Sequence, residues 1–353
     1  MSVLTLPAQP GSDTGAAPPT LPWRRMVWVT WRQHRALLIS LPAVLGAVAV
    51  FLLIAGLRVH HDYAAIAACP PSGPSGANAA GATCARLLTD FNNTDWTLGN
   101  TAQIFMQLVP VLIGVFAGAP VLARELETGT FRYAWTQGLG RERWTIAKLT
   151  LLGATVTVLA GAFGELFAWF FQPFLPVEGL TVLNATVFAS RGIAFAAWTL
   201  VAFALAAFFG MLLRRIVPAM AVTMGAYLAL ALAAWRLREF YPVALVTNNA
   251  NLGTLQTSDT NPWLLGTWYT GPGGKPASQS VLNQIFNLFP MHGAPRTKLS
   301  FAQLLAQHHF TEWTRYIPVS RFWPMQFIEG GWLLVLSVVL IAATVWLVRR
   351  RAA

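Results

Sequence analysis

Few residues in this sequence have the type and spacing to do chemistry, and the richest group lies at 123–148, Ala-Arg-Glu-Leu-Glu-Thr-Gly-Thr-Phe-Arg-Tyr-Ala-Trp-Thr-Gln-Gly-Leu-Gly-Arg-Glu-Arg-Trp-Thr-Ile-Ala-Lys. Charges of both signs between apolar flanks suit contact with another protein. The contact residues would be Arg124, Glu125, Glu127, Gly129, Thr130, Phe131, Arg132, Tyr133 and Trp135; a charged turn that only fixes topology is the alternative. Glu165 is read as the one acid well inside an apolar run, which makes it a functional candidate by default. It sits roughly 28 Å past the start of that run at 1.5 Å per residue, near the far interface, where an interfacial or structural role competes. Gln103 and Gln107, with Met220, Met224 and Tyr227, form semi-polar stripes that could face a pathway; ordinary helix packing explains them as well.

Other chemistries find little support. His60-His61-Asp62 and the group His308, His309 and Glu312 contain metal-binding residue types but offer no third ligand at helical spacing, so no metal site is expected. His-Glu-x-x-His and Gly-x-Ser-x-Gly do not occur, and no catalytic residue is expected. Gly271-Pro-Gly-Gly-Lys275 lacks the spacing of a phosphate-binding loop. Cys69 and Cys84, the only cysteines, could pair if their loop meets an oxidising compartment, or stay as free thiols.

The elements that must position these residues are membrane spans. Of 353 residues, 55% are hydrophobic and 10% charged, too little polarity to cover a core in water. Runs of about 20 apolar residues, enough to cross a bilayer, occur at 36–57, 104–122, 146–174, 193–213, 216–235 and 332–348. The fold class expected is therefore an all-α integral membrane protein with six transmembrane helices. The third run contains Gly161, Gly164 and Glu165 and is long enough to tilt, break or overshoot the interface.

The net charge of +11 gathers at the ends of runs: Arg24, Arg25, Arg32 and Arg35; Arg124, Arg132, Arg141, Arg143 and Lys148; Arg214 and Arg215; Arg349 to Arg351. Positive loops stay in the cytoplasm, so both termini are placed there and no nucleic-acid partner is inferred. Residues 1–21 are expected to be a disordered cytoplasmic tail and 22–35 an amphipathic helix in the membrane interface. Residues 36–235 would hold spans one to five, 236–331 a large extracytoplasmic segment, and 332–353 span six with a basic cytoplasmic end. In the outer segment, Ser300 and Gln303 form a capping-box pattern for a short helix, with Trp313, Tyr316, Phe322 and Trp323 as interfacial aromatics.

Arg124-Glu125, Gly129-Thr130, the short apolar stretch Phe131 to Trp135, the turn at Arg141 to Arg143 and Lys148 resemble the pattern of ABC-2 type permeases, the membrane subunits of ATP-binding-cassette exporters. Trp31-Arg-Gln-His-Arg35 and Arg215-Ile-Val-Pro-Ala-Met220 look like segments of actinobacterial members. The resemblance spans the layout of nearly the whole chain, but Gly138 or Gly140 replaces the turn's usual Pro and the outer segment is unusually long. It implies a permease in a bacterial plasma membrane that dimerises with a second copy and binds two copies of a separate ATPase. Residues 130–137 would be the coupling helix. ATP and Mg would belong to the partner, with no cofactor in this chain, and the cargo would be an amphipathic or hydrophobic drug, peptide or lipid moved outward. A non-transporting sensor or assembly factor that recruits an ATPase, or a membrane-embedded enzyme, are the alternatives.

Overall fold

The computed structural model describes residues 23–69, 79–129, 141–248, 262–288 and 301–351. Among these described residues are six helices long and apolar enough to cross a membrane. Span one is a helix over Trp23–Ala67 with non-helical dihedrals at His34 (φ −109°, ψ 16°). This kink separates the arginine-rich segment from the apolar run close to the expected boundary, but the helix continues ten residues past the expected end at 57. The tail at 1–21 lies outside the described residues.

Span two is assembled from Trp96–Ile113, a π-helical turn at Gly114–Gly118 and Ala119–Thr128. The wide turn is where its backbone meets span four, Gly192–Leu213. A Cβ on Gly114 would lie 2.5 Å from the Ala202 carbonyl carbon, and one on Gly118 2.7 Å from the Phe203 oxygen. Such contact needs small residues, because helices in lipid gain from close packing rather than from leaving water. Span four is the hub: it packs against spans two, three, five and six, and 67% of its most apolar window is buried.

Span three is one unbroken helix, Arg141–Phe171. Gly161 and Gly164 do not break it. Phe195 fills the space beside Gly164, with its Cδ1 2.8 Å from where a Cβ would be. Spans five and six are Ile216–Leu237 and Phe322–Arg351. Span six thus starts ten residues before its expected start at 332.

Between spans five and six the chain forms a structure the periodicity did not suggest. Strands β1 (Leu245–Asn248), β2 (Trp263–Thr270) and β3 (Thr311–Ile317) make an antiparallel sheet in the order β1-β3-β2. The expected short helix exists as Phe301–Gln307, and with Gln279–Asn287 it covers a small core of Leu282, Ile285, Leu304 and Leu305. Trp313 and Tyr316 lie on the central strand β3.

Candidate coupling region and pathway

The described part of the 123–148 loop is its base. The helix Ala119–Thr128 ends at Gly129, whose left-handed φ of 70° is a conformation that favours glycine. Lys148, fully buried at the start of span three, pairs with Glu125 and donates to the Val121 carbonyl at 3.3 Å. Its Nζ also lies 4.2 Å from the centre of the Trp144 ring. One cation therefore joins the exit of span two to the entry of span three. Among the described residues, the buried Glu125 Oε2, Trp144 Nε1 and His34 Nε2 have no hydrogen-bond partner.

Glu127 makes a different link. Its Oε2 accepts from the Ile216 backbone N–H at 3.3 Å, placing a carboxylate at the positive end of span five. Arg124 is exposed beside these residues. Thr130, Phe131, Arg132, Tyr133, Trp135 and the expected helix at 130–137 lie outside the described residues.

The pathway candidates do not all meet. Gln103 and Gln107 each donate from Nε2 to Ser190 Oγ at 2.7 Å and to the Thr186 carbonyl, at 2.9 and 2.8 Å. Both therefore anchor span two to the short helix before span four, which Asn184 caps by accepting from the Thr186 N–H. Gln107 and Tyr227 line one cavity of about 360 Å³ between spans two and five, together with Trp198, Trp235 and Arg238. Tyr227 stands edge-on to Trp198 at 5.4 Å. Met220 packs against Ala119, Ala206 and Ala219 and also against the cluster that contains Trp198 and Tyr227, without lining the cavity, and Met224 is 43% exposed.

Glu165 is apart from this cavity. It is exposed near the end of span three, where its Oε1 accepts from the Gly192 N–H at 3.2 Å. Burial holds the neighbouring Arg191 guanidinium below its ordinary value, and the Glu165 charge opposes that shift.

Glu165 is not the only acid within a spanning helix. Glu329, 0% exposed on span six, accepts from Arg238 Nε at 2.9 Å and Nη2 at 2.8 Å, and from the Trp198 indole N–H at 2.8 Å. The Arg238 Nη1 donates to the Ala185 carbonyl at 2.9 Å, and its guanidinium lies 4.6 Å over Phe188. One turn earlier, buried Gln326 accepts from the Ala194 N–H at 2.8 Å and donates to the Phe188 carbonyl at 3.1 Å. Two side chains of span six thus hold the beginning of span four and the end of span five. The available signal was Gln326 and Glu329 at an i,i+3 spacing just ahead of an apolar run.

Cys69 and Cys84 form a disulfide with Cα atoms 6.0 Å apart, tying the end of span one to the helix Ala79–Asp90. Nearby, Arg58 donates to the buried Asp95 at 2.6 Å. His60 stacks on Trp169 and hydrogen-bonds its carbonyl at 3.0 Å, which occupies the ring that sequence alone offered as a metal ligand. No group of three or more His, Cys, Asp or Glu residues that could hold a metal ion occurs among the described residues.

Six apolar spans joined by cation-rich turns, with buried ion pairs between helices, define a multi-pass membrane protein. Residues 42–238, more than half of the chain, match the family described as ABC-2 membrane transporter related, and the chain belongs to that family. The match ends at Arg238, ahead of the sheet and of span six. No curated protein and no solved structure matches the chain. Membership makes it an ABC-2 type permease, and that family in general works with an ATP-binding-cassette ATPase.

Proposed function

We propose that the chain is the membrane subunit of an exporter that moves an amphipathic or hydrophobic cargo outward, driven by ATP and Mg in a separate ATPase present in two copies. A second copy of the permease completes the pathway, and the assembly sits in a bacterial plasma membrane with both termini in the cytoplasm. The observation that supports this most is the linkage at the loop base. Lys148 connects the loop to span three and Glu127 connects it to span five, which lines the cavity holding Gln107 and Tyr227. A push on the loop by a nucleotide-driven partner would reach the cavity wall without passing through lipid-facing side chains. Arg124, Glu125, Glu127 and Gly129 serve here as the fixed base of the coupling element, with residues 130–137 as its tip. The disulfide agrees with placing residues 69–84 on an oxidising side.

The test is co-reconstitution of the permease with its cognate ATPase in vesicles, using panels of hydrophobic drugs, peptides and lipids. ATP-dependent accumulation of one class, lost in Tyr227→Ala while ATPase binding persists, is the expected result. Hydrolysis with no vectorial movement of any class would favour a sensor or assembly factor, and a native mass with one permease copy in an active complex would remove the dimeric pathway.

A further inference from the structure

The sheet between spans five and six presents a face that the transport function does not use. Residues two apart on a strand share a face, so pairing sets two rows across it. Val246, Arg315 and Gly266 form one; Asn248, Trp313 and Trp268 form the other. The Trp268 and Trp313 rings are stacked, 6.5 Å between centres and 12° from parallel. Trp313 is fixed by donating its indole N–H to Thr270 Oγ1 at 2.9 Å, and Trp268 remains 42% exposed.

Beside Trp268 is a hollow of about 340 Å³ lined by Gly266, Thr267, Trp268 and Arg315. Its floor is open because residue 266 is glycine: no heavy atom lies within 4 Å of where a Cβ would stand. A register irregularity between Leu264 and Gly266 falls at the same place, and such bulges re-aim side chains. Arg315 is exposed and makes no ion pair among the described residues. At the far end of the tryptophan row the Asn248 Oδ1 is buried, with no hydrogen-bond partner among the described residues.

We infer that this face binds an acidic saccharide, with Trp268 and Trp313 as the stacking platform and Arg315 as the carboxylate ligand. A sugar ring has an apolar C–H face that lies flat on an indole and a rim of hydroxyls that need polar partners. The face supplies a fixed aromatic plane and an exposed guanidinium in adjacent rows of a sheet. Arginine's planar fork matches a carboxylate in two parallel hydrogen bonds. A second copy is a poorer occupant, since a two-fold pairing centred on β3 brings one Arg315 toward the other, like charge against like. The inference goes beyond the transport function and does not depend on the cargo.

The experiment is calorimetric titration of the full chain, in a detergent without sugar headgroups, with a galacturonic acid trisaccharide and with a neutral galactose trisaccharide. Binding of the acidic sugar with a Kd on the order of 1 mM is expected, with the neutral sugar about tenfold weaker, the factor for one charge-assisted interaction. Arg315→Gln should reduce the acidic sugar to the affinity of the neutral one. Gly266→Val, whose Cβ has no heavy atom within 4 Å and whose methyl groups project into the hollow, should abolish binding of both at an unchanged melting temperature. Three results would each overturn the inference: absence of binding to the unaltered protein, equal binding by both variants, or conversion of a dimer to a monomer by Trp268→Ala.

Discussion

Replacing Glu329 by glutamine removes the countercharge of a buried guanidinium while leaving the side chain's shape and one carbonyl oxygen in place. Arg238 and Glu329 are 3% and 0% exposed and share two hydrogen bonds of 2.9 and 2.8 Å. Breaking a buried pair by removing one partner costs about 3–5 kcal/mol, because the other charge stays in a low-dielectric site, whereas replacing both by apolar residues is often neutral. Glutamine can still accept the Trp198 N–H, so the charge is the main variable; methionine also orphans the indole, adding about 1–3 kcal/mol. The expected order of stability is therefore wild type, then Glu329→Gln about 3 kcal/mol lower, then Glu329→Met lower again. Arg238→Met combined with Glu329→Met should recover most of the charge penalty and retain only the cost of the orphaned indole. Equilibrium unfolding of the purified protein in mixed micelles measures all four. If Glu329→Gln lies within about 0.5 kcal/mol of wild type, the size of an ordinary surface change, or if the double variant is no better than the worse single, burial of an uncompensated charge is not what the pair prevents.

Three further outcomes are expected. Glu127→Lys, which puts a cation at the positive end of span five, should change stability by no more than about 1 kcal/mol, yet abolish cargo-stimulated ATP hydrolysis in the reconstituted complex while basal hydrolysis persists. Reduction of the Cys69–Cys84 bond, which closes a loop with a sequence separation of 15, should cost about 3 kcal/mol on the chain-entropy account; melting with and without reductant checks it, and Cys69→Ser should equal the reduced protein. Gly118→Ala should lower folded yield in membranes, since its methyl would meet the Phe203 oxygen 2.7 Å away, whereas Gly161→Ala, which meets only Ala196 Cβ at 3.7 Å, should be tolerated. Size-exclusion profiles of the two variants, expressed side by side, separate these cases.

The spans were legible because lipid demands long apolar runs whatever their neighbours are. What the runs do at their ends was not. The sixth apolar run is expected from Trp332, which leaves Glu329 in the outer segment at 236–331. In the bundle Gly330 instead lets span six close on Ile193, whose Cγ2 is 2.7 Å from where a Cβ would stand. Of the tilt, break or overshoot open to the run with Gly161 and Gly164, a break does not occur. The sheet was hidden for a different reason. Thr311–Ile317, Thr-Glu-Trp-Thr-Arg-Tyr-Ile, has no strict alternation of polar and apolar residues, its partners Leu245–Asn248 and Trp263–Thr270 are distant in sequence, and no local signal announces such pairing. Gln107 and Tyr227 were chosen for the character of their helices and do share a cavity. Met224 followed from the same periodicity and points elsewhere, because side-chain spacing fixes a face but not what it meets.

Span five shows why the polar ends matter more than its length. Only 17% of its most apolar window is buried, so packing holds it weakly compared with span four. Its beginning is held by Glu127 at the Ile216 N–H, and its end by Arg238 in the Glu329 pair. The first contact is exposed and exchanges readily with water; the second is buried and costly to break. A force arriving through the loop base would therefore move the Ile216 end and pivot the helix about Arg238, changing the cavity that Tyr227 and Gln107 line between the two. On the proposed function this predicts an asymmetry. Distances measured by paired spin labels at Val217 and Leu37 should change with nucleotide, while those between labels at Leu237 and Trp323 stay fixed, and Glu329→Gln should release the second pair. Equal movement at both ends in the unaltered protein would mean that span five translates as a body and that the buried pair is not its pivot.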